Sequence, residues 1–219
     1  IAEKNPELIQ KIQKKGHEIA THGYSHRRVY TMTPESFRED LKKSVDIISH
    51  ITGEPVRGFR APEWSIRDDS LWALDILHDE GFEYDSSKAP LRFIGNPNYS
   101  KIPHQITLEN GTLWEIPPMV RTTWLANLPI AGGWGLRVFP YRLIHSTIRK
   151  LNDHGYPALV YFHPREFDSA VPRIRLPLVK KFVLGAKLVA TETRLKRLIQ
   201  DFQFSSVISV LEKIKARTV

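Results

Sequence analysis

Residues 17–26 read HEIATHGYSH and contain three of the nine histidines of this 219-residue chain. Two of them, His22 and His26, have the spacing H-x-x-x-H, which lets two imidazoles bind one metal ion. Because Gly23 lies between them and the stretch follows a β-rich run, we expect a loop here rather than a helix. A catalytic zinc-type site also needs a third ligand, often a carboxylate, and an open position for water. Spacing alone leaves surface or capping histidines as the alternative.

Three more residues that could do chemistry also follow short β-rich runs. His163 ends the run PALVYFH, and a histidine there suits a general acid or base because it titrates near neutrality. A hydrogen-bonded core histidine is the alternative. Arg60 could orient a carboxylate through paired hydrogen bonds, or form a surface salt bridge. Asp85 could orient His163 or contact substrate, or form an Asx turn or helix cap.

Aromatic and acidic residues near these positions are candidate substrate contacts. Tryptophan rings could stack on sugars, and core packing is the alternative for each of them. Glu115 lies between apolar residues on a predicted strand, so its side chain could point into the interior. We predict substrate contacts at Tyr24, Trp64, Glu115 and Trp134.

The elements that must position these residues follow a recurring pattern. Amphipathic helices are predicted over 6–15, 34–52, 69–80 and 140–153, and each is followed by a glycine suited to a left-handed cap. A short apolar run follows each glycine, which predicts parallel strands in βα units. The pattern favours an α/β fold, either a (β/α) barrel or a doubly wound sheet. In a barrel, the strand ends would gather four residues over one mouth: His22, Arg60, Asp85 and His163.

The rest of the chain is predicted to be more irregular. Residues 88–137 form long loops around a strand at 112–116, and residues 166–190 are irregular. Helices near 191–202 and 206–216 close the chain. The length predicts one domain over 1–219, with a helical extension over about 178–219.

Composition narrows the class of protein. With 41% hydrophobic and 26% charged residues the chain is globular, and the absence of cysteine excludes disulfides and thiolate metal sites. A net charge of +8 could attract nucleic acid, anionic lipid or an acidic polymer. No nucleic-acid-binding signature is present, and no apolar run reaches the ~18 residues of a membrane span. We therefore expect no nucleic-acid partner and no transmembrane segment, and the compartment stays open between the cytoplasm and the cell envelope. Ile1 is not methionine and no signal-peptide pattern follows, so we expect an upstream segment.

Four segments occur in the order found in a known family. GHEIATHGYSH, RGFRAPEWS, YDSS and ALVYFHP resemble polysaccharide deacetylases of the NodB-homology type, carbohydrate esterase family 4. The residues of these segments are most similar to the branch of the family associated with exopolysaccharide loci and exosortase systems. The resemblance implies a distorted (β/α) TIM-like barrel, here N-terminally incomplete. It also implies one divalent metal ion, usually Zn²⁺, with Co²⁺ or Ni²⁺ as alternatives.

The resemblance also implies roles for individual residues. His22 and His26 correspond to the metal ligands, Arg60 to the arginine motif, and His163 to the general acid. Asp85 is the candidate for the fourth motif. The family's first motif carries two aspartates, a metal ligand and the catalytic base, and it is absent here. We therefore expect the third protein ligand upstream of residue 1.

The function implied is hydrolysis of N-acetyl groups on N-acetylhexosamine units of a polysaccharide or oligosaccharide, and a homo-oligomer is compatible with it. Two alternatives remain open. One is a metal-independent hydrolase of cyclic amides or ureides with the same fold. The other is an inactive carbohydrate-binding or scaffolding protein.

Overall fold

The structure, a computed structural model, describes residues 1–168, 177, 182 and 185–218. The helices described are α1 (Pro6–Lys14), α2 (Pro34–Thr52), α3 (Trp72–Asp79), α4 (Gly133–Val138), α5 (Tyr141–Asp153), α6 (Ala190–Asp201) and α7 (Val207–Thr218). The strands are β1 (Gly58–Phe59), β2 (Tyr84–Asp85), β3 (His104–Thr107), β4 (Thr112–Glu115), β5 (Arg121–Thr122) and β6 (Asn127–Leu128). Each predicted helix corresponds to one of these elements within a few residues, and the predicted strand at 112–116 is β4.

The chain divides into two compact units. The first unit comprises Ile1–Pro117 with Ser205–Val219, and the second comprises Pro118–Phe204. The single domain expected from the sequence, with its C-terminal extension, stays a prediction. Most of the segment 166–190, predicted to be irregular, lies outside the described residues.

Local sequence signals define the helix ends. The Thr33 hydroxyl accepts the Ser36 N–H at 3.2 Å, and the Ser36 hydroxyl accepts the Thr33 N–H at 3.0 Å, so a capping box starts α2. Helix α2 ends where Gly53 adopts a φ of 70°. The glycines after the other three predicted helices also have positive φ, which confirms the predicted caps: Gly16, Gly81 and Gly155.

The core of the first unit lies between α2, α3 and the sheet. Phe37 and Leu41 of α2 are buried and pack with Phe59 of β1 and Leu77 of α3. The rings of Phe37 and Phe59 meet edge to face, with centroids 5.6 Å apart. Packing of this kind stabilises the first unit and fixes the position of the sheet beneath the candidate site.

The sheet of the first unit has four strands in the order β1-β2-β4-β3. Strands β1, β2 and β4 run parallel, and β3 is antiparallel to β4. Phe59 pairs with Asp85, which pairs with Glu115, and an isolated parallel bridge joins Thr21 to Phe59. The carboxyl ends of these runs therefore lie side by side, as the predicted βα pattern requires.

The sheet of the described strands is open, so the distorted, N-terminally incomplete barrel expected from the sequence stays a prediction. Among the described residues, the two predicted strands at 17–22 and 157–163 form isolated bridges, at Thr21 and at Tyr161. The fold class shown is mixed α/β.

The second unit has a core of its own. Helices α4, α5 and α6 pack around buried residues that include Met119, Leu136 and Leu198. Strands β5 and β6 form a separate antiparallel ribbon. The run 157–163 bonds through Tyr161 N–H to Ala131 O at 3.1 Å. A Cβ at Gly132 would lie 2.2 Å from the Tyr161 carbonyl oxygen, so only glycine permits this approach.

Two further observations bear on predictions made from the sequence. Within the described part of the chain, no helix combines the length and apolar character that crossing a membrane requires. Helix α7 returns to the first unit, where Lys215 contacts Glu83 at 2.8 Å and Glu212 contacts Arg57 at 2.9 Å.

Candidate functional site

His22 and His26 lie on one exposed loop at the carboxyl end of the Thr21 bridge. Their ring centroids are 5.0 Å apart and the rings are nearly perpendicular. His26 has a φ of 54°, in the left-handed region that non-glycine residues rarely adopt. This conformation turns the loop back so that the second imidazole meets the first. Backbone strain of this kind is concentrated at functional sites.

The loop is held by its surroundings rather than by its own sequence. The Asp40 carboxylate on α2 accepts the Tyr24 N–H at 2.8 Å and the Ser25 N–H at 2.9 Å. Gly23 has a φ of 76°, and a Cβ there would lie 3.0 Å from Asp40 Oδ2. The Thr21 hydroxyl accepts the Gly23 N–H at 3.2 Å. The residues between the two histidines are therefore attached to Thr21 and to α2.

The two imidazoles fit a shared metal ion. His22 Nδ1–H donates to the Arg60 carbonyl oxygen at 2.5 Å, which leaves Nε2 as the nitrogen that can bind a metal. Two rings bound to one ion through bonds of ~2.0–2.1 Å can have the observed centroid separation. Among the described residues, no group of three or more His, Asp or Glu side chains could hold a metal. The described part of the chain thus offers two candidate ligands, His22 and His26.

Arg60 is adjacent to His22 because the Thr21–Phe59 bridge joins their strand ends. Its Nη2 donates to the Ser86 hydroxyl at 2.9 Å, and its Nε donates to the Ser86 carbonyl oxygen at 3.2 Å. The guanidinium also lies over the Trp64 ring, 4.8 Å from the centroid. These contacts hold the cation in one orientation at the carboxyl edge of the sheet.

Asp85 organises the turn that contacts Arg60. Its carboxylate accepts the Ser87 N–H at 3.1 Å and the Ser87 hydroxyl at 2.5 Å, which is the Asx turn considered above. The Ser87 hydroxyl in turn accepts the Ala61 N–H at 2.7 Å. Asp85 is fully buried and contacts the site through this turn, and its predicted catalytic role stays a prediction.

Asp85 and Glu115 form a buried carboxyl pair on neighbouring strands. Both side chains are fully buried, and Glu115 Oε1 accepts the Lys88 N–H at 3.1 Å. Burial raises the pKa of Asp85, and burial followed by the charge of Asp85 raises the pKa of Glu115 well above its usual range. Because the Ser87 donors favour an ionised Asp85, we assign the shared proton to Glu115. Its place in the fold makes Glu115 a buried support of the turn.

His163 lies in the second unit, directly before a 3₁₀ turn over Pro164–Phe167. Its Nδ1 is 2.9 Å from Glu166 Oε1, and the Glu166 carboxyl is buried. The ring of His163 also meets the ring of Tyr161 edge to face, with centroids 5.7 Å apart. The histidine is therefore neither a fully buried core residue nor an isolated surface residue.

The predicted aromatic contacts have different surroundings. Trp64 is half-buried beneath Arg60 and has a φ of 56°. Tyr24 is exposed, with Lys43 Nζ 3.9 Å from its ring centroid. Trp134 lies in the second unit and packs against Phe139, with centroids 5.8 Å apart. Their contact with substrate stays a prediction.

Two supporting residues were not found from the sequence. Asp40 bonds to a loop 15 and 16 residues away from it in the chain, and no local motif indicates such a contact. Glu166 had a weaker signal: it follows His163 by three residues across a proline, a spacing that brings side chains together in a 3₁₀ turn.

Two protein families match consecutive parts of the chain. The family model "Polysaccharide deacetylase" matches residues 1–83, and the model "Domain of unknown function (DUF3473)" matches residues 86–212. A peptidoglycan deacetylase of Helicobacter pylori is 30% identical over 139 residues, which are 61% of this chain and 45% of that protein. The chain therefore spans less than half the length of this curated relative.

Solved structures share the fold. A polysaccharide deacetylase of Mycobacterium smegmatis aligns with a TM-score of 0.67 at 21% identity, over 100% of this chain and 70% of that one. An allantoinase aligns with a TM-score of 0.61 at 16% identity, over 95% of this chain and 62% of that one. The fold is thus common to enzymes with different substrates, and fold alone does not identify the substrate. Because the DUF3473 model matches more than half of the chain, the chain belongs to that family, and its first 83 residues match the polysaccharide deacetylase model.

Proposed function

We propose that this chain forms the catalytic part of a metal-dependent polysaccharide N-deacetylase. Its substrate would be a polysaccharide or oligosaccharide that contains N-acetylhexosamine, and its products acetate and a free sugar amine. The match of residues 1–83 to the polysaccharide deacetylase model supports this proposal, as does the relative from Helicobacter pylori that is named a peptidoglycan deacetylase. The distorted (β/α) barrel of the family is part of the same proposal.

One observation carries the metal part of the proposal: the anchored pair of imidazoles. The Arg60 carbonyl oxygen fixes the Nδ1–H tautomer of His22, and the left-handed His26 places a second ring beside it. Surface histidines without a function do not need a strained backbone or a fixed tautomer. We therefore assign His22, through Nε2, and His26 as ligands of one divalent ion, with Zn²⁺ as the first choice.

A divalent ion bound there would polarise the acetyl carbonyl and lower the pKa of a water molecule. The chain's own residues would position the other reacting groups. Arg60, held by Ser86, presents its guanidinium at the strand edge and would orient the carboxylate of the catalytic base. The resemblance to the family implies that this base and the third metal ligand are the two aspartates of the first motif, which is not in this sequence. His163 would deliver a proton to the departing amine.

Zinc content and acetate release test this proposal. Full-length protein, with any sequence that precedes Ile1, would be loaded with Zn²⁺ and assayed on N-acetylglucosamine oligomers and on peptidoglycan. We expect His22→Ala and His26→Ala each to lose stoichiometric zinc and to reduce acetate release at least ~100-fold. His17→Ala is the matched control, because His17 is an exposed histidine of the same ten-residue segment.

Two outcomes would contradict the proposal. If both ligand variants keep one equivalent of zinc and normal acetate release, the imidazole pair is not the metal site. If the wild-type protein binds zinc but releases no acetate from either substrate, the activity is a different one.

A further inference from the structure

The second unit contains a histidine–carboxylate pair, His163 and Glu166, of which the proposed reaction uses only the histidine. The Nδ1 atom of His163 lies 2.9 Å from Glu166 Oε1. The two side chains differ sharply in exposure: that of His163 is 49% exposed and that of Glu166 is 1% exposed. One ring edge is therefore bound to a buried group while the other part of the ring reaches solvent.

The local backbone enforces this pairing. His163 is extended, with a φ of −107° and a ψ of 140°, and Pro164 begins the 3₁₀ turn. The Glu166 N–H donates to the His163 carbonyl oxygen at 2.9 Å, which closes the turn. His163 stands at the N-cap position of the turn and Glu166 at its third residue, a pair of positions whose side chains meet, so the carboxyl group lies against the imidazole. The contact is built into the chain rather than made by two mobile surface groups.

A buried cation on α4 also interacts with the carboxyl group. Arg137 on α4 is fully buried and interacts electrostatically with Glu166. Burial lowers the pKa of Arg137, and the negative charge of Glu166 opposes that effect. The Arg137 guanidinium is itself held by the carbonyl oxygens of Gly133 at 3.2 Å and Ala186 at 2.6 Å.

A carboxylate at Nδ1 determines which ring nitrogen carries the proton. Since an ionised carboxylate only accepts hydrogen bonds, Nδ1 must be the donor, and Nε2 is left as the nitrogen that can gain and lose a proton. We propose that Glu166 is the positioning residue of His163: it holds the imidazole with Nδ1–H inward, so that Nε2 faces outward to deliver the proton to the leaving amine. This inference rests on the general-acid role of His163 in the proposed function.

The substitution Glu166→Gln separates this role from simple packing. Glutamine has nearly the same shape, but its amide can either accept from Nδ1–H through oxygen or donate to Nδ1 through nitrogen. The tautomer of His163 is then no longer fixed. The matched control is Glu192→Gln, which removes a carboxylate from an exposed position on α6 in the same unit, where it pairs with Lys196.

Two readouts on the full-length, zinc-loaded protein test the proposal. ¹⁵N NMR of the His163 ring reports the tautomer, and we expect Nδ1–H in wild type and a mixture of tautomers in Glu166→Gln. Steady-state acetate release should show a kcat lowered ~10²–10⁴-fold in Glu166→Gln, with KM within about twofold and zinc content unchanged. Adding Glu166→Gln to His163→Ala should cost little more than His163→Ala alone, because the two residues act as a unit.

A wild-type spectrum with the proton on Nε2 overturns the proposal, and this measurement needs no variant to fold. A Glu166→Gln protein with wild-type kcat overturns it as well. If the wild-type protein proves to have no deacetylase activity, the proposed function fails, and the ring tautomer still decides whether Glu166 orients His163.

Discussion

The carboxyl pair of Asp85 and Glu115 makes stability depend on pH. Both groups are fully buried, and the pKa of Glu115 is raised well above its usual range. A carboxyl group that keeps its proton in the folded state and loses it in the unfolded state stabilises the fold fully only below its unfolded pKa of about 4.3. That contribution declines as pH rises towards the folded pKa, at up to about 1.4 kcal/mol per pH unit.

Glu115→Gln should remove this decline, because glutamine is neutral at every pH and can still accept the Lys88 N–H. We expect the urea midpoint of wild type to fall more steeply between pH 5 and pH 8 than that of the variant. Glu109→Gln is the control, since Glu109 is an exposed glutamate between the paired strands β3 and β4. Parallel pH profiles of wild type and Glu115→Gln would show that the pair does not share a proton.

At the residue scale, sequence reasoning located side chains that follow strands and missed those that support them. His22, Arg60 and Asp85 could be grouped because the carboxyl ends of adjacent parallel strands share an edge. The contact of Glu166 with His163 depends on the type of turn after Pro164, and the contact of Asp40 with the histidine loop depends on how α2 packs. Local sequence patterns specify neither contact. Tertiary contacts therefore supply the part of the site that spacing cannot.

At the element scale, helices were easier to predict than strands for a physical reason. Helix α2 carries its own start and stop signals, Thr33-Pro34 and Gly53, and its predicted bounds are confirmed. A strand is defined by its partners, so the apolar run 157–163 forms only one bridge where a full strand was expected. Apolar residues in a short run indicate that the segment is buried, but they do not indicate how many hydrogen bonds it forms with a neighbouring strand.

Helix α2 also determines the shape of the histidine loop, which gives a prediction at this scale. Asp40→Ala removes the acceptor of the Tyr24 and Ser25 N–H groups, so the loop between His22 and His26 should lose its fixed form. Loss of such supporting hydrogen bonds typically costs ~10–100-fold in metal affinity. We expect zinc affinity, measured by competition with a chelator, to fall by that factor while the fold is retained.

Asp46→Ala is the matched control, because Asp46 is an exposed aspartate on the same helix. Equal zinc affinities of the Asp40 and Asp46 variants would show that α2 does not position the loop.

At the scale of the whole molecule, composition does not predict where the matched families or the two compact units begin and end. The matched families meet between residues 83 and 86, whereas the compact units divide after Pro117, and the C-terminal helix α7 belongs with the first unit. That return depends on ion pairs such as Arg57–Glu212, whose partners are 155 residues apart in the chain. No local signal in the sequence could indicate a contact over such a separation.

Net charge is the property of the whole molecule that sequence does specify, and it bears on the substrate. A charge of +8 should attract an anionic polysaccharide over distances comparable with the Debye length, about 30 Å at 0.01 M salt and about 10 Å at 0.1 M. We expect KM for an anionic N-acetylhexosamine polymer to rise severalfold between these salt concentrations, while KM for neutral N-acetylglucosamine oligomers changes less than twofold. Acetate release measured on both substrates across the salt series checks this. Equal salt dependence on the two substrates would mean that the surface charge does not steer the polymer, because only the charged substrate experiences the field that salt screens.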